Sequence, residues 1–96
     1  MPVDGGGERK WYRSRDGAAL FRFAFKAMGD HIAIYCLVRP DFGGRDTDSH
    51  KTHLFSSGQL CFVAGREPRD LAHAERLAQQ WAEYFLEYRR TGVAQS

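Results

Sequence analysis

The chain has 96 residues, a length that suits one domain and is too short for two. Its 43% hydrophobic and 27% charged residues are typical of a globular protein and exclude a wholly disordered or collagen-like chain. The formal net charge of +2 is too small to require a nucleic acid or a membrane as partner. The longest apolar run, residues 32–38, is far shorter than the ~20 residues that span a bilayer.

The first predicted elements are a tail and an edge strand. Residues 1–10 contain three consecutive glycines and are predicted to be a flexible tail. They lack the apolar core of a signal peptide, so with only two cysteines we expect a cytoplasmic protein with reduced thiols. Residues 10–15 are predicted to form a short edge strand, and Asp16-Gly17 a turn.

The next segment, residues 19–27, alternates strictly between two kinds of side chain. Phe21, Phe23 and Phe25 share one parity, whereas Arg22 and Lys26 share the other. This period of two predicts a half-buried strand with an aromatic inner face and a basic outer face.

A buried strand, a loop and a hairpin are predicted next. Residues 31–38 are apolar on both parities, which is typical of a strand in the middle of a sheet. Residues 41–51 are polar and contain glycine, so we expect a loop. Residues 52–55 and 59–64 are short apolar stretches about a Ser-Ser-Gly turn and predict a hairpin.

The last predicted element is a long helix over residues 69–90. Its apolar residues recur at helical spacing: Leu71, Ala74, Leu77, Ala78, Trp81, Phe85 and Tyr88. The expected fold is therefore α+β, an antiparallel meander of three to five strands packed through its phenylalanine face on one long C-terminal helix. Residues 11–92 are expected to form a single domain, and residues 93–96 a tail.

A cysteine and a histidine form the candidate catalytic pair. Cys61 follows His53 by eight positions across the predicted turn, and a thiol beside a base can become a nucleophile. The alternative is that Cys61 is a small buried hydrophobe. Cys36 lies within the apolar strand, where we expect it in the core, and a disulfide between the two cysteines stays open.

The loop region carries five residues of metal-ligating type: Asp41, Asp46, Asp48, His50 and His53. Their spacing matches neither a calcium loop nor a zinc pattern, and such residues are common in solvated loops. We therefore expect no metal and no other cofactor.

Two stretches of the predicted sheet are candidate binding surfaces. Trp11 and Arg13 lie on the predicted strand that precedes Arg22 and Lys26, the basic residues of the outer face. Arginines beside aromatic rings hold single strands of nucleic acid on sheet platforms. The alternative is that these charges only solvate a sheet face. Tyr35 has apolar neighbours on its parity, which predicts a patch for a partner protein or a second copy unless the loop covers it.

From residue 31 onward the order of features resembles small uncharacterised proteins encoded on bacterial plasmids and genomic islands. The resemblance rests on residues 31–55 (HIAIYCLVRPDFGGRDTDSHKTHLF), a glycine turn with a cysteine strand, and a helix that contains residues 78–82 (AQQWA) and ends at residues 88–92 (YRRTG). It implies a bacterial, mobile-element setting and a cytoplasmic location, and no particular activity.

A second resemblance is to bacterial relatives of ubiquitin-conjugating enzymes. It rests on His53, Gly58, Leu60 and Cys61, followed by Trp81, Tyr88, Thr91 and Gly92. It implies that Cys61 carries a thioester and that His53 assists transfer. The family's His-Pro-Asn tripeptide is here His53-Leu54-Phe55, without the asparagine that stabilises the oxyanion.

The function expected from these observations is binding without catalysis, most directly to another protein or to a second copy of the chain. The first alternative is a cysteine transferase that uses Cys61, and the second is a module that binds nucleic acid on the basic face of the sheet. No membrane partner is expected.

Overall fold

A three-stranded antiparallel sheet packs on one long C-terminal helix in the computed structural model, which describes residues 8–62 and 65–94. The elements in chain order are β1 (Glu8–Arg13), β2 (Leu20–Ala27), β3 (Ile32–Val38), α1 (Ser49–Thr52) and α2 (Leu71–Thr91). The strands lie side by side in the order β1-β2-β3, and both pairs are antiparallel. The predicted α+β meander on a single long helix is therefore confirmed.

The turn between β1 and β2 has the residues predicted for it. Asp16 accepts hydrogen bonds at Oδ1 from the Ser14 hydroxyl at 2.6 Å and from the Ala18 amide at 3.0 Å. Gly17 has a φ of 77°, a left-handed conformation that glycine adopts without steric cost. These contacts direct β2 back along β1.

The inner face of the sheet is the phenylalanine face of β2. Phe21, Phe23 and Phe25 are buried against α2. Trp81 meets Phe21 and Phe23 nearly edge-on, with 6.1 Å between ring centroids in each pair, and Phe85 meets Phe21 in the same way. Offset edge-to-face contacts are a favourable arrangement of aromatic rings, so these contacts join sheet and helix in one core.

The two ends of α2 are capped by residues at its predicted boundaries. The Asp70 side chain accepts a hydrogen bond from the His73 amide at 2.8 Å, and Gly92, at φ 76°, donates its amide to the Tyr88 carbonyl at 2.7 Å. The carbonyl of Pro68 accepts a hydrogen bond from the Ile32 amide at 2.8 Å. The start of α2 is therefore held against β3.

The predicted first strand is displaced toward the N-terminus. β1 runs over Glu8–Arg13 and not over residues 10–15, so it includes three residues that we assigned to the flexible tail. Glu8 lies opposite Phe25 in the ladder, and Lys10 forms an ion pair with Glu75 of α2 at 2.8 Å. Residues 1–7 of the predicted tail lie outside the described residues, as do residues 63–64 and 95–96.

The predicted hairpin is reduced to isolated bridges. Leu54 pairs with Leu60 across the Ser-Ser-Gly turn, and Gln59 pairs with Tyr35. Two further hydrogen bonds, from the Cys36 amide to Gly58 and from the Leu60 amide to Ile34, lay this segment along the outer edge of β3. The first residue of the expected hairpin, Thr52, is instead the end of α1, because Asp48 caps a helical turn there.

The loop between β3 and α1 is attached to the C-terminal end of α2. Arg45 donates hydrogen bonds to the carbonyls of Arg89 at 3.2 Å and Arg90 at 3.0 Å, and the Tyr88 hydroxyl donates to the carbonyl of Asp46. These partners lie on the helix side of the sheet, so the loop is bonded on the side opposite Tyr35. Among the described helices none is both long enough and apolar enough to cross a membrane.

Candidate functional site

The sheet has a second face that turns away from α2, which we call the outer face. Trp11 and Arg13 of β1, Arg22 and Lys26 of β2, and Tyr35 of β3 all lie on it. Their positions follow from strand alternation, because the residues next to them in the chain lie on the inner face together with the phenylalanines of β2. The structure therefore brings together on one surface all five residues for which the sequence predicted a binding role.

The centre of the outer face is a stacked pair of side chains. Trp11 lies directly opposite Arg22 in the ladder, and the guanidinium carbon of Arg22 is 5.1 Å from the centre of the Trp11 ring. Trp11 is 55% exposed. The Nε of Arg22 is buried and has no hydrogen-bond partner within the described residues. A flat guanidinium on an indole ring forms a favourable cation–π contact, so the pair is a defined and accessible surface feature.

A bulge in β3 brings apolar side chains to the same surface. The register shifts between Arg22 and Phe23, so that Cys36 lies opposite Phe23 while Val38 lies opposite Arg22. Leu37 is the extra residue of this bulge. Together with Leu20 of β2, Leu37 and Val38 are exposed aliphatic residues beside the Trp11–Arg22 pair. Alternation alone cannot reveal a bulge, so the sequence did not place Val38 here.

The described strand residues give the outer face charges of one sign. Arg9 lies opposite Ala24 and adds a fourth cation to Arg13, Arg22 and Lys26. Among the described strand residues no carboxylate occupies an outward position. Four of the chain's 14 lysines and arginines lie here, which leaves ten against twelve acidic residues for the rest of the chain. The mild net charge therefore conceals a local basic surface.

Two neighbours of these residues turn to the helix side instead. Lys10 pairs with Glu75, and the Tyr12 hydroxyl donates a hydrogen bond to Glu83 at 2.6 Å. Burial, together with the carboxylate of Glu83, raises the pKa of Tyr12 above its ordinary value. Both side chains hold β1 on α2 and are not available on the outer face.

The candidate catalytic residues lie on a different surface. The Cys61 amide donates a hydrogen bond to the His53 carbonyl at 2.8 Å, and both residues line a shallow cavity of about 340 Å³ beside Trp81 and Tyr84. The His53 and Tyr84 rings are 5.1 Å apart. The structure thus brings the backbones of His53 and Cys61 together, which their spacing in the sequence alone does not establish.

The cysteines of the chain are both free thiols. Cys36 is partly buried, and its Sγ lies 3.4 Å from the Val38 carbonyl as a weak donor. Burial raises the pKa of the Cys36 thiol to about 12, so this thiol stays protonated at neutral pH. The disulfide left open by the sequence is not formed.

Three of the five loop residues of metal-ligating type have separate partners. Asp41 pairs with Arg89, Asp46 with Lys51, and Asp48 caps α1. In the described part of the chain no three His, Cys, Asp or Glu side chains converge on a site for a metal ion.

No family model, no curated protein and no solved structure matches this chain. The resemblances to plasmid-encoded proteins and to ubiquitin-conjugating relatives stay predictions. Function is therefore inferred from the geometry and chemistry of the surfaces described above.

Proposed function

We propose that the protein is a non-catalytic binding module whose outer face holds an acidic segment of a partner protein. The observation that carries this proposal is the composition of that face, where the described strand residues place four cations and no carboxylate around an exposed tryptophan. Tryptophan and arginine are the residues most enriched among those that dominate binding energy at protein interfaces. A segment with carboxylates and apolar side chains would complement both parts of the face.

The aliphatic residues favour a protein over a nucleic acid. Platforms for single strands bind through aromatic rings and cations, and exposed aliphatic side chains add little to them. Leu20, Leu37 and Val38 are exposed beside the Trp11–Arg22 pair. Apolar side chains of a partner protein would remove these three from water, which is a favourable contribution.

The cations disfavour a second copy of the chain on this face. Two outer faces placed against each other would bring Arg9, Arg13, Arg22 and Lys26 close to the same four cations. Like charges across an interface are strongly unfavourable when they lose their water. This supports a different, acidic protein as the partner rather than a homodimer through this surface.

The proposal is tested first by site-specific capture. A photoreactive phenylalanine analogue replaces Leu37 on the outer face, and a matched control variant carries it at exposed Arg76 on α2. A protein that crosslinks to the first variant and not to the second is then identified and purified. Equal capture by both variants, or capture of nuclease-sensitive nucleic acid by the first, contradicts the proposal.

Affinity measurements with the purified partner complete the test. Arg22→Gln should weaken binding by about ten-fold or more, because a charge-assisted contact is lost. Arg76→Gln, at an exposed position on α2, is the matched control and should leave the affinity unchanged. Binding should also weaken as salt increases. Equal affinity of the Arg22→Gln variant and the wild type would refute the assignment of this face.

A second candidate function is cysteine-dependent group transfer, because the Cys61 amide donates a backbone hydrogen bond to the His53 carbonyl and both residues line one cavity. In that function His53 would take the thiol proton, and the Cys61 sulfur would attack the thioester of an acyl donor. The new thioester forms on Cys61 as the donor's carbon–sulfur bond breaks, and the departing thiol takes the proton from His53. Iodoacetamide should then label Cys61 rapidly in the folded protein near neutral pH, and the Cys61→Ser variant should lose that label. Labelling that requires unfolding of the chain contradicts this function.

A further inference from the structure

A cavity of about 370 Å³ lies between the end of β3, the loop that follows it and the Ser-Ser-Gly turn. The lining residues that matter here are Arg39, Phe42, Thr47, Ser49, Phe55 and Ser56. This volume falls within the range of pockets that bind small molecules. The cavity shares no residue with the outer face or with the His53–Cys61 cavity.

The polar side chains of the lining are one guanidinium and three hydroxyls, and each of them can donate a hydrogen bond. The guanidinium of Arg39 stacks on Phe42, 4.2 Å from the ring centre, and its Nη1 donates to the Pro40 carbonyl. A guanidinium has five N–H donors, so most of them stay available. The hydroxyls of Thr47, Ser49 and Ser56 take part in no hydrogen bond within the described residues.

The acidic residues of the neighbouring loop are held elsewhere. Arg89 binds Asp41 at 2.9 Å and lowers the pKa of that carboxyl, and Asp46 accepts a hydrogen bond from Lys51 at 3.1 Å. Asp48 accepts the His50 amide at 2.9 Å as the cap of α1. None of these carboxylates lines the cavity, so Arg39 is the charged group that a ligand would meet there.

The apolar part of the lining is formed by rings and aliphatic groups. Phe42 and Leu54 line the cavity, as does Phe55, whose side chain is 44% exposed. We propose that this cavity binds a small organic anion. Its carboxylate or phosphate accepts hydrogen bonds from Arg39 and the hydroxyls, and its apolar body packs against Phe42 and Phe55. This inference does not depend on the proposed function of the outer face.

The test uses the full chain, labelled with ¹⁵N, and two anionic probes, phenyl phosphate and phenylacetate. Saturable shifts of the Ser49, Ser56 and Gly58 amides with either probe support the proposal, and the stronger probe identifies the preferred anionic group. Benzyl alcohol is the neutral control and should bind more weakly than the better anion. Absence of saturable shifts with both anions, or equal binding of benzyl alcohol, overturns the proposal.

Variants assign the binding to the cavity. Arg39→Gln should weaken the better probe by about ten-fold, whereas Arg76→Gln on α2 should not change its binding. A Thr47→Val, Ser56→Ala double variant is the alternative test if Arg39→Gln does not fold. It removes two hydroxyls and leaves the Arg39 guanidinium stacked on Phe42. Unchanged affinity in the folded variant refutes the site.

Discussion

The indole nitrogen of Trp81 donates a hydrogen bond of 2.9 Å to the carbonyl oxygen of Thr52. Thr52 is fully buried at the end of α1, and its single hydroxyl proton lies within reach of two backbone carbonyls, those of Asp48 at 3.2 Å and Leu54 at 3.3 Å. One side chain of α2 therefore contributes to the aromatic core and also satisfies a buried carbonyl of α1. This contact attaches the irregular segment between β3 and α2 to the rest of the fold.

We expect Trp81→Phe to destabilise the protein by about 1–3 kcal/mol, because the buried Thr52 carbonyl loses its indole donor. Trp11→Phe, at the exposed position on the outer face, is the matched control and should change stability by less than about 0.5 kcal/mol. Urea unfolding followed by circular dichroism measures both. Similar losses for the two variants would show that the hydrogen bond to Thr52 contributes little.

Truncation of a side chain on the phenylalanine face should lower the free energy of unfolding by more than Trp81→Phe does. Phe23→Ala removes a buried ring that packs against Trp81, and such substitutions cost about 3–5 kcal/mol. Phe55→Ala removes the same group from an exposed position and should cost much less. The free energies of unfolding of the two variants test this, and a comparable loss at Phe55 would contradict the assignment of the core.

Gly92 tests the attachment of the loop to α2. Gly92 and Gly17 both have positive φ, so alanine at either position should lower the free energy of unfolding by about 1 kcal/mol through backbone strain. A Cβ at Gly92 would also lie 2.9 Å from Nη1 of Arg45, whereas one at Gly17 meets no atom within 4 Å. We therefore expect Gly92→Ala to be the more destabilising of the two in urea unfolding.

A double-mutant cycle separates the two causes. In an Arg45→Ala background the two glycine variants should become equally destabilising, because the guanidinium that a Cβ would meet is gone. An excess loss at Gly92 that persists in this background would show that Arg45 is not the cause.

Cys36 predicts a loss of stability at alkaline pH. Burial raises the pKa of its thiol from an ordinary value near 9 to about 12 in the folded chain. Between these values the unfolded chain loses the thiol proton while the folded chain keeps it, so the free energy of unfolding falls as pH rises. Comparison of wild type and Cys36→Ala by urea unfolding on both sides of pH ~9 measures this contribution.

The Cys36→Ala variant should show a weaker decline at alkaline pH than the wild type. The comparison is needed because Tyr12, whose pKa is also raised, contributes a decline of the same sign. Parallel pH profiles of the two proteins would show that the Cys36 thiol is not desolvated in the folded state.

Local patterns were sufficient for the elements that have a strong period or a specific turn. Alternation of Phe21, Phe23 and Phe25 with basic residues identified both faces of β2, and helical spacing identified α2 to within two residues at each end. The prediction of where β1 starts was wrong because the residues that hold it, Phe25 and Glu75, are distant from it in the chain. The prediction of a full hairpin was wrong because the residues at the Ser-Ser-Gly turn form hydrogen bonds with β3 and do not pair along two strands of their own.

The sequence by itself determined that one face of the sheet is aromatic, that the opposite face is basic and that a long amphipathic helix follows, because these properties depend on spacing within one element. Only the tertiary structure decided that Trp11 stacks on Arg22, that a bulge adds Val38 to the outer face and that His53 lies beside Cys61. Each of these depends on register between segments distant in the chain, and register is selected by packing of the whole core.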